Sequence, residues 1–342
     1  MSSSYKILKT KPGQEHFDLF YNLPKKLYPQ NSQRFILGHD PVKTHLEGCY
    51  VLLDSDKAIG RFAFYENENL MIDGQFAACI GSYECVNDPN ASHALLDNAK
   101  RMAQLKGYDF LIGPMEGSTW NNHRFSMDND QPNFFMEPYH HAYYNQHFID
   151  FGFSPISQYF SNLDEELNVE EERLKKFEQM YLNQGAVFRN LNLNDLENEL
   201  YKIATFSLKA FSANFLFTPI TTSEFVSKYL KIKSLIDPEL VWIVEDKLGE
   251  IQAFIFSIPD HYDSIKPSKT LIIKSMARKR TSPFKGIGSY LAGKTVQIAK
   301  EQGYEKVIHA FMINDNASRL ISEKYAKGSG YHKNYPLYGL KL

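Results

Sequence analysis

The sequence predicts an α/β (α+β) chain of two similarly ordered domains, each a sheet flanked by helices. Three observations lead there. The chain has 342 residues, more than one hydrophobic core usually serves. Apolar residues make up 43% of it, with 25 Phe and 21 Tyr, enough for two packed cores and too many for a disordered chain. One order of elements is also used twice: strand, two helices or a long arm, three strands, helix, strand, helix, strand.

In the first half, residues 5–10 read as a short strand and 15–28 as a helix. Asp40-Pro41 marks a turn. Strands follow at 49–54 and 59–65, and the break Ser55-Asp56-Lys57 suits a hairpin. Residues 75–86 form a further strand. In 90–106, Leu95, Ala99, Met102 and Ala103 recur at helical spacing, and Gly107 ends the helix. A strand at 109–113 runs into Gly113-Pro114. Residues 118–139, rich in Asn, Pro and aromatics, read as a long structured loop. A helix at 141–151 and a strand at 154–162 close this half. The domain limits expected are 1–164 and 186–342, joined by a charged, helix-prone connector at 165–185.

The second half repeats the order. Strand 187–191 precedes helices 195–212 and 222–236. Strands 240–245 and 251–258 form a hairpin across 246–250. Then come strand 270–279, helix 286–302, strand 306–313 and helix 316–326. The last strand, 335–342, is expected inside the second sheet.

Composition excludes several classes. Lys and Arg number 38 against 40 Asp and Glu, so no basic field calls for nucleic acid. Cys49, Cys79 and Cys85 match no zinc spacing, and their odd count fits a disulfide framework poorly; buried thiols in a reducing compartment are expected. The first residues carry no apolar signal core, and no window is long enough to span a bilayer. A cytoplasmic protein without a membrane partner follows by elimination. His140, His141 and His147 do not reproduce the paired spacing of a metal-binding helix, so no metal is expected.

The strongest chemical signal is Lys285-Gly286-Ile287-Gly288-Ser289, which opens a helix directly after a strand. Such a start leaves main-chain N–H groups pointing at one spot, at the positive end of the helix dipole. That spot suits a pyrophosphate. Glycines let a phosphate approach the main chain with no Cβ in the way. Lys285 adds charge, as does the approach through Arg278, Lys279 and Arg280. A plain helix start with two convenient glycines produces the same pattern. The segment is not a Walker loop, and Leu291 stands where a dinucleotide fingerprint needs its third glycine.

In context this loop resembles the acetyl-CoA motif of the GNAT acyltransferase superfamily. That motif runs Arg or Gln, two variable residues, Gly, one variable residue, then Gly or Ala. Here it reads Pro283-Phe284-Lys285-Gly286-Ile287-Gly288. Both glycines fit; Pro283 departs from the pattern, and Arg280 is the candidate substitute. Residues 273–278 look like the superfamily's fourth strand. The resemblance implies that the main chain of Met276, Ala277 and Arg278 pairs with pantetheine and polarises the thioester carbonyl. It implies cofactor contacts from Lys285, Gly286, Ile287, Gly288 and Ser289, and from Asn316 with Ser318, with Asn314 as second candidate. It makes Tyr325 a candidate for protonating the departing thiolate, although its distance from Asn316 is not the usual one; packing on the sheet is the competing role. Mixed, mostly antiparallel sheets are implied, together with acetyl-CoA or another acyl-CoA as co-substrate. The implied reaction is acyl transfer to an amine of a small polar molecule or peptide.

The first half resembles the superfamily by element order alone. Its corresponding loop, Asn87-Asp88-Pro89-Asn90-Ala91-Ser92, has no glycine and no basic residue, and Asp88 would repel a pyrophosphate. No CoA is expected there. Phe76, Tyr83 and Phe110 are the aromatics expected to fill the gap between its fourth and fifth strands. The segment from Gly113 to Trp120, with Arg124 and Phe134-Phe135-Met136, looks like an uncharacterised group of tandem GNAT-like bacterial proteins. Glu116, Trp120, Arg124 and Tyr139, beside His123 and Glu137, are expected to contact the acceptor; a self-packed loop is the other account. No general base stands out. Two further classes stay open: a CoA-binding or scaffold protein without turnover, and an aminoacyl-tRNA-dependent transferase, which the balanced charge weakens.

Overall fold

Alternating and continuous apolar runs set the strands, and a computed structural model shows how they pair. It describes residues 5–28, 40–127, 132–263, 267–313, 317–325 and 332–342. The chain divides into two compact units, neither of them one continuous segment. The first holds residues 1–158, 215–218 and 334–342; the second holds 159–214 and 219–333.

In the first unit the elements run β1 (Tyr5–Thr10), α1 (Phe17–Leu27), β2 (Leu46–Asp54), β3 (Lys57–Tyr65), β4 (Met71–Ile72), β5 (Gln75–Cys85), α2 (Pro89–Leu105), β6 (Phe110–Gly113) and α3 (Tyr143–Phe151). β1, β2, β3 and β5 pair antiparallel in that order, and β5 pairs parallel with β6. On β3, Phe62 and Phe64 face a core shared with Leu95, Leu96 and Ala99 of α2 and Phe148 of α3. Arg61, on the other face, lies against Phe20 of α1. Cys49, Cys79 and Cys85 are buried free thiols, each pushed up to about 12 by burial.

β7 (Ser154–Asp164) runs from the first unit into the second. There follow α4 (Glu171–Asn183), β8 (Val187–Asn190), α5 (Leu196–Ala210), α6 (Thr222–Leu230), β9 (Val241–Glu245), β10 (Ile251–Pro259), β11 (Thr270–Arg278), α7 (Ile287–Glu301), β12 (Lys306–Ile313) and α8 (Ala317–Tyr325). The second unit's sheet runs β8-β9-β10-β11-β12-β7, antiparallel except for the β11–β12 pair. Ile255 and Ile273 join Leu291 and Val296 of α7 in one core. On the opposite face, Phe206 of α5 meets Phe254, and Tyr229 of α6 meets Phe256.

Two expectations need correction. The last strand, β13 (His332–Lys341), falls with the first unit and not the second: it pairs antiparallel with β6, Tyr338 opposite Gly113. Residues 159–164 of β7, expected to close the first half, pair with β12. Alternation tells which face a residue takes but not which edge its strand joins. Side chains decide the edge here. Tyr338 is buried among first-unit aromatics and donates to Asn145 Oδ1 at 2.9 Å, and Tyr335 donates to Glu137 Oε1 at 2.6 Å. The 165–185 segment is also more than a connector, since Leu174 and Tyr181 of α4 belong to the second unit's core. Among the described residues, no helix is long and apolar enough to cross a membrane.

This pairing has a direct test. Removing residues 334–342 should speed amide exchange in β6 at least tenfold, because its ladder partner is lost, while β10 and β11 keep their protection. Faster exchange in β11 and β12 with β6 unchanged would return the strand to the second sheet.

Candidate functional site

The site of interest begins where β11 and β12 part. They pair in parallel from Thr270–Ile273 on one to Lys306–His309 on the other. Beyond that rung each strand continues, β11 to Arg278 and β12 to Ile313. Each carries an irregularity at the same height. Against β10, the register steps from Ser275↔Phe256 to Ile273↔Ser257, so Lys274 is the extra residue. Against β7, it steps from His309↔Asn162 to Met312↔Phe160. Phe311 within that step sits at φ 56°, its N–H donating to Ser161 Oγ at 3.1 Å. Bulges bend and twist their strands, and two at one height splay the pair. Among the described residues, the β12-facing edge of Ser275–Arg278 then has no strand partner.

That open edge leads into the glycine loop. Gly286, at φ 81°, is the N-cap of α7, and no side chain caps the helix. Glycine tolerates this backbone far better than any residue with a Cβ. The Ile287 N–H is taken by the Phe284 carbonyl at 3.2 Å. Among the described residues no protein acceptor meets the amides of Gly286, Gly288 and Ser289. They stand at the positive end of a fifteen-residue helix. Buried Phe284 anchors the loop in the core, while Arg278, Arg280 and Lys285 are exposed beside it. None of the three forms an ion pair among the described residues, whereas Lys279 is held by Glu250 at 2.7 Å. Gly288 is where three elements close together. A Cβ there would lie 3.4 Å from Ile321 Cδ1 of α8 and 3.7 Å from Met276 Sδ of β11.

The first unit has the same splay and closes it. β5 and β6 pair over Ala77–Cys79 with Phe110–Ile112, and β5 then bulges against β3, with Ser82 at φ 50°. The chain after Pro114 folds back into the gap. The Met115 N–H donates to the Ile80 carbonyl at 2.7 Å, and buried Glu116 accepts from Ser82 Oγ at 2.6 Å. A Cβ on Gly81 would fall 2.6 Å from Glu116 Cγ. Of the expected fillers, Tyr83 is buried against Phe125, Tyr144 and Phe148. Phe76 is 48% exposed, because it sits opposite Met71 in the short β4–β5 hairpin, and Phe110 is only partly buried. The helix start is closed as well: Asp88 Oδ1 accepts the N–H groups of Asn90 at 2.7 Å and Ala91 at 2.9 Å.

No protein family matches the sequence, and no curated protein matches it. Solved structures do. The chain is similar to a GCN5-related glucosamine N-acetyltransferase region of a fungal β-N-acetylglucosaminidase, with TM-score 0.58 and 13% identity over 99% of this chain and 38% of that one. It is similar to a tandem GNAT protein from the clavulanic acid biosynthesis pathway, with TM-score 0.52 and 9% identity over 98% of each chain. It is also similar to a GCN5-related N-acetyltransferase from Sphaerobacter thermophilus, with TM-score 0.51 and 10% identity over 98% of this chain and 95% of that one. The chain has a tandem GNAT fold. Identities this low carry the fold alone, and the chain spans little more than a third of the fungal protein.

Within this tandem GNAT fold the remaining sequence candidates fall as follows. Asn314 and Asn316 lie outside the described residues, as does the side chain of Ser318. Tyr325 donates to the Ser289 carbonyl at 3.0 Å, and burial raises the pKa of its phenol. Glu116 also accepts from Asn122 at 3.2 Å; Arg124, at φ 70°, places Nη1 3.0 Å from His123 Nε2. A single bridge, Met115↔His123, makes these two part of one short hairpin. Trp120 instead donates to the Thr218 carbonyl at 2.8 Å and lies edge-on to Phe217, and Tyr139 packs on Tyr28. His140 accepts from the Ser126 N–H, His141 meets the Leu27 carbonyl, and His147 meets Tyr83. Sequence reasoning missed a buried network in which Tyr28 and Tyr144 donate to Glu84, beside Arg61. It also missed Tyr181, whose spacing of four from Phe177 on a charged helix was the available signal.

The contrast between the two helix starts can be measured. Asp88→Ala should cost the first unit ~1 kcal/mol, the usual worth of such a cap, seen as a lower urea midpoint for that unit. An unchanged midpoint would mean that the Asn90 and Ala91 amides do not depend on the carboxylate.

Proposed function

We propose that the chain is an acyl-CoA-dependent N-acyltransferase whose second unit holds the CoA thioester and whose first unit holds none. One observation carries this reading. In the second unit an open strand edge and an uncapped, glycine-led helix start lie in sequence, while in the first unit the chain's own groups occupy both. The similar solved structures include acetyltransferases, which supports the reaction class.

The chain's residues divide the work. The amides of Gly286, Gly288 and Ser289 receive the pyrophosphate, with charge from Arg278, Arg280 and Lys285. The free edge of β11 at Met276, Ala277 and Arg278 gives a pantetheine arm the main-chain partners that β12 does not supply. An N–H on that edge polarises the thioester carbonyl and stabilises the oxygen as it gains charge. The acceptor amine, on a small polar molecule or a peptide, attacks the carbonyl carbon directly. The C–N bond forms, the C–S bond breaks, the amine gives its proton to water and the thiolate leaves. Holding both reactants together supplies much of the acceleration. Tyr325, bound to the first turn of α7, is the proposed proton source for the thiolate. Glu116, Trp120 and Arg124 bond to neighbouring groups of the first unit and Tyr139 packs on Tyr28, so the proposal places no acceptor contact on them.

Acetyl-CoA should raise the melting temperature of the wild-type protein, as any ligand that binds only the folded state does. Gly286→Val, which forces a β-branched residue into a left-handed backbone, should weaken acetyl-CoA at least tenfold by calorimetry. Equal affinity in that variant would remove the loop from the site. A screen of amines should then release free CoA thiol with at least one of them. Binding without thiol release for every amine would reduce the protein to a CoA-binding module.

A further inference from the structure

We infer that Tyr181, on the helix that precedes the second sheet, is a positioning residue that aims and strengthens the phosphate-binding amide of Gly286. The inference deepens the proposed function and rests on it. α4 is not part of the strand–loop–helix that makes the phosphate site. It comes more than a hundred residues earlier, and the sequence marks it only as charged and helix-prone. Yet Tyr181 is fully buried, and its hydroxyl donates to the Lys285 carbonyl at 2.8 Å.

The geometry of one peptide unit gives that bond its meaning. The Lys285 carbonyl and the Gly286 N–H belong to the same planar trans peptide, so they point in opposite directions. A donor that grips the carbonyl from the core side fixes the plane and turns the N–H away from the core, toward the open side of the loop. The same donor draws electron density into the carbonyl oxygen, and hydrogen bonds in series strengthen one another. Gly286 has no side chain to set its own orientation. The backbone there is at φ 81°, a region where rotation is least restrained for glycine.

Tyr181 is itself well held. Its ring lies 6.1 Å from Phe177, 6.1 Å from Phe284 and 5.5 Å from Tyr290, centroid to centroid. Phe284 is the loop's anchor and Tyr290 lies in the first turn of α7, so the ring touches the loop on both sides of Gly286. Burial pushes the phenol up to about 12, which keeps it protonated and a donor through the neutral range. Space is limited too: a Cβ on Gly286 would lie 3.4 Å from the Tyr181 oxygen.

Tyr181→Phe removes only that oxygen and keeps the ring packing. Calorimetry on the full chain compares CoA with S-acetylpantetheine, which has the thioester arm but no diphosphate. The expected result is about five- to tenfold weaker CoA binding, the usual worth of one such bond, with S-acetylpantetheine changed less than twofold. In the ligand-free variant the Gly286 amide nitrogen should move upfield as its peptide loses the donor, and this signal decides alone if the fragment binds too weakly to measure. CoA affinity unchanged, both ligands weakened alike, or an unmoved Gly286 signal would each overturn the inference. If the wild-type protein itself takes up no CoA, the proposed function falls first and this inference with it.

Discussion

Where two parallel strands part, their facing main-chain groups lose each other as partners, and a folded protein rarely leaves buried N–H and C=O groups unmatched. Both units meet this constraint at the same place in their strand order. In each, a parallel pair comes apart after three or four rungs, next to a bulge on the earlier strand. The first unit supplies its own partners: Met115 bonds the β5 main chain, and Glu116 takes the Ser82 hydroxyl beside it. In the second unit the corresponding edge leads to a helix start where the amides of Gly286, Gly288 and Ser289 and three neighbouring cations have no partner among the described residues. One architecture thus gives a sealed copy and a receptive copy.

The helix starts follow the same division. An N-terminus offers up to four N–H groups that need acceptors. Asp88 answers for two of them with a carboxylate that also suits the helix dipole. Gly286 offers no side chain, so the acceptor must come from outside the helix. What the second unit forgoes in capping it recovers in part from below, through Tyr181 and the Lys285 carbonyl. Rigidity at such a loop matters because donors already aimed need no reorganisation when an anion arrives.

Much of this was legible in the sequence, for physical reasons that differ by element. Gly286 starts its helix at a left-handed φ that its residue type favours, whereas Asp88, read only as a charge that repels phosphate, is also the cap of α2. The helices at 90–106 and 286–302 carry a strong apolar period and lie within two residues of their expected limits. The placement of β13 and of the end of β7 was not legible. Tyr335 and Tyr338 find Glu137 and Asn145 almost two hundred residues away, and no local pattern encodes a partner at that distance. The plug at Met115 and Glu116 was hidden similarly. Glu116 was read as a ligand contact because a carboxylate in an aromatic loop often is one; its bonds to the half-buried Ser82 and to Asn122 are contacts that the sequence did not announce. Phe76 was misplaced because hydrophobicity does not reveal that a two-residue strand leaves one side open to water.

The central claim is that the two helix starts differ in what they can accept. Titrating acetyl-CoA into the isotope-labelled protein and following its amide resonances tests this most directly. The account predicts saturable shifts at Gly286, Gly288, Ser289 and along 275–278, with Asn90 and Ala91 unmoved because Asp88 already holds them. Shifts at Asn90 and Ala91, or a silent 285–289 loop in the presence of bound ligand, would contradict it.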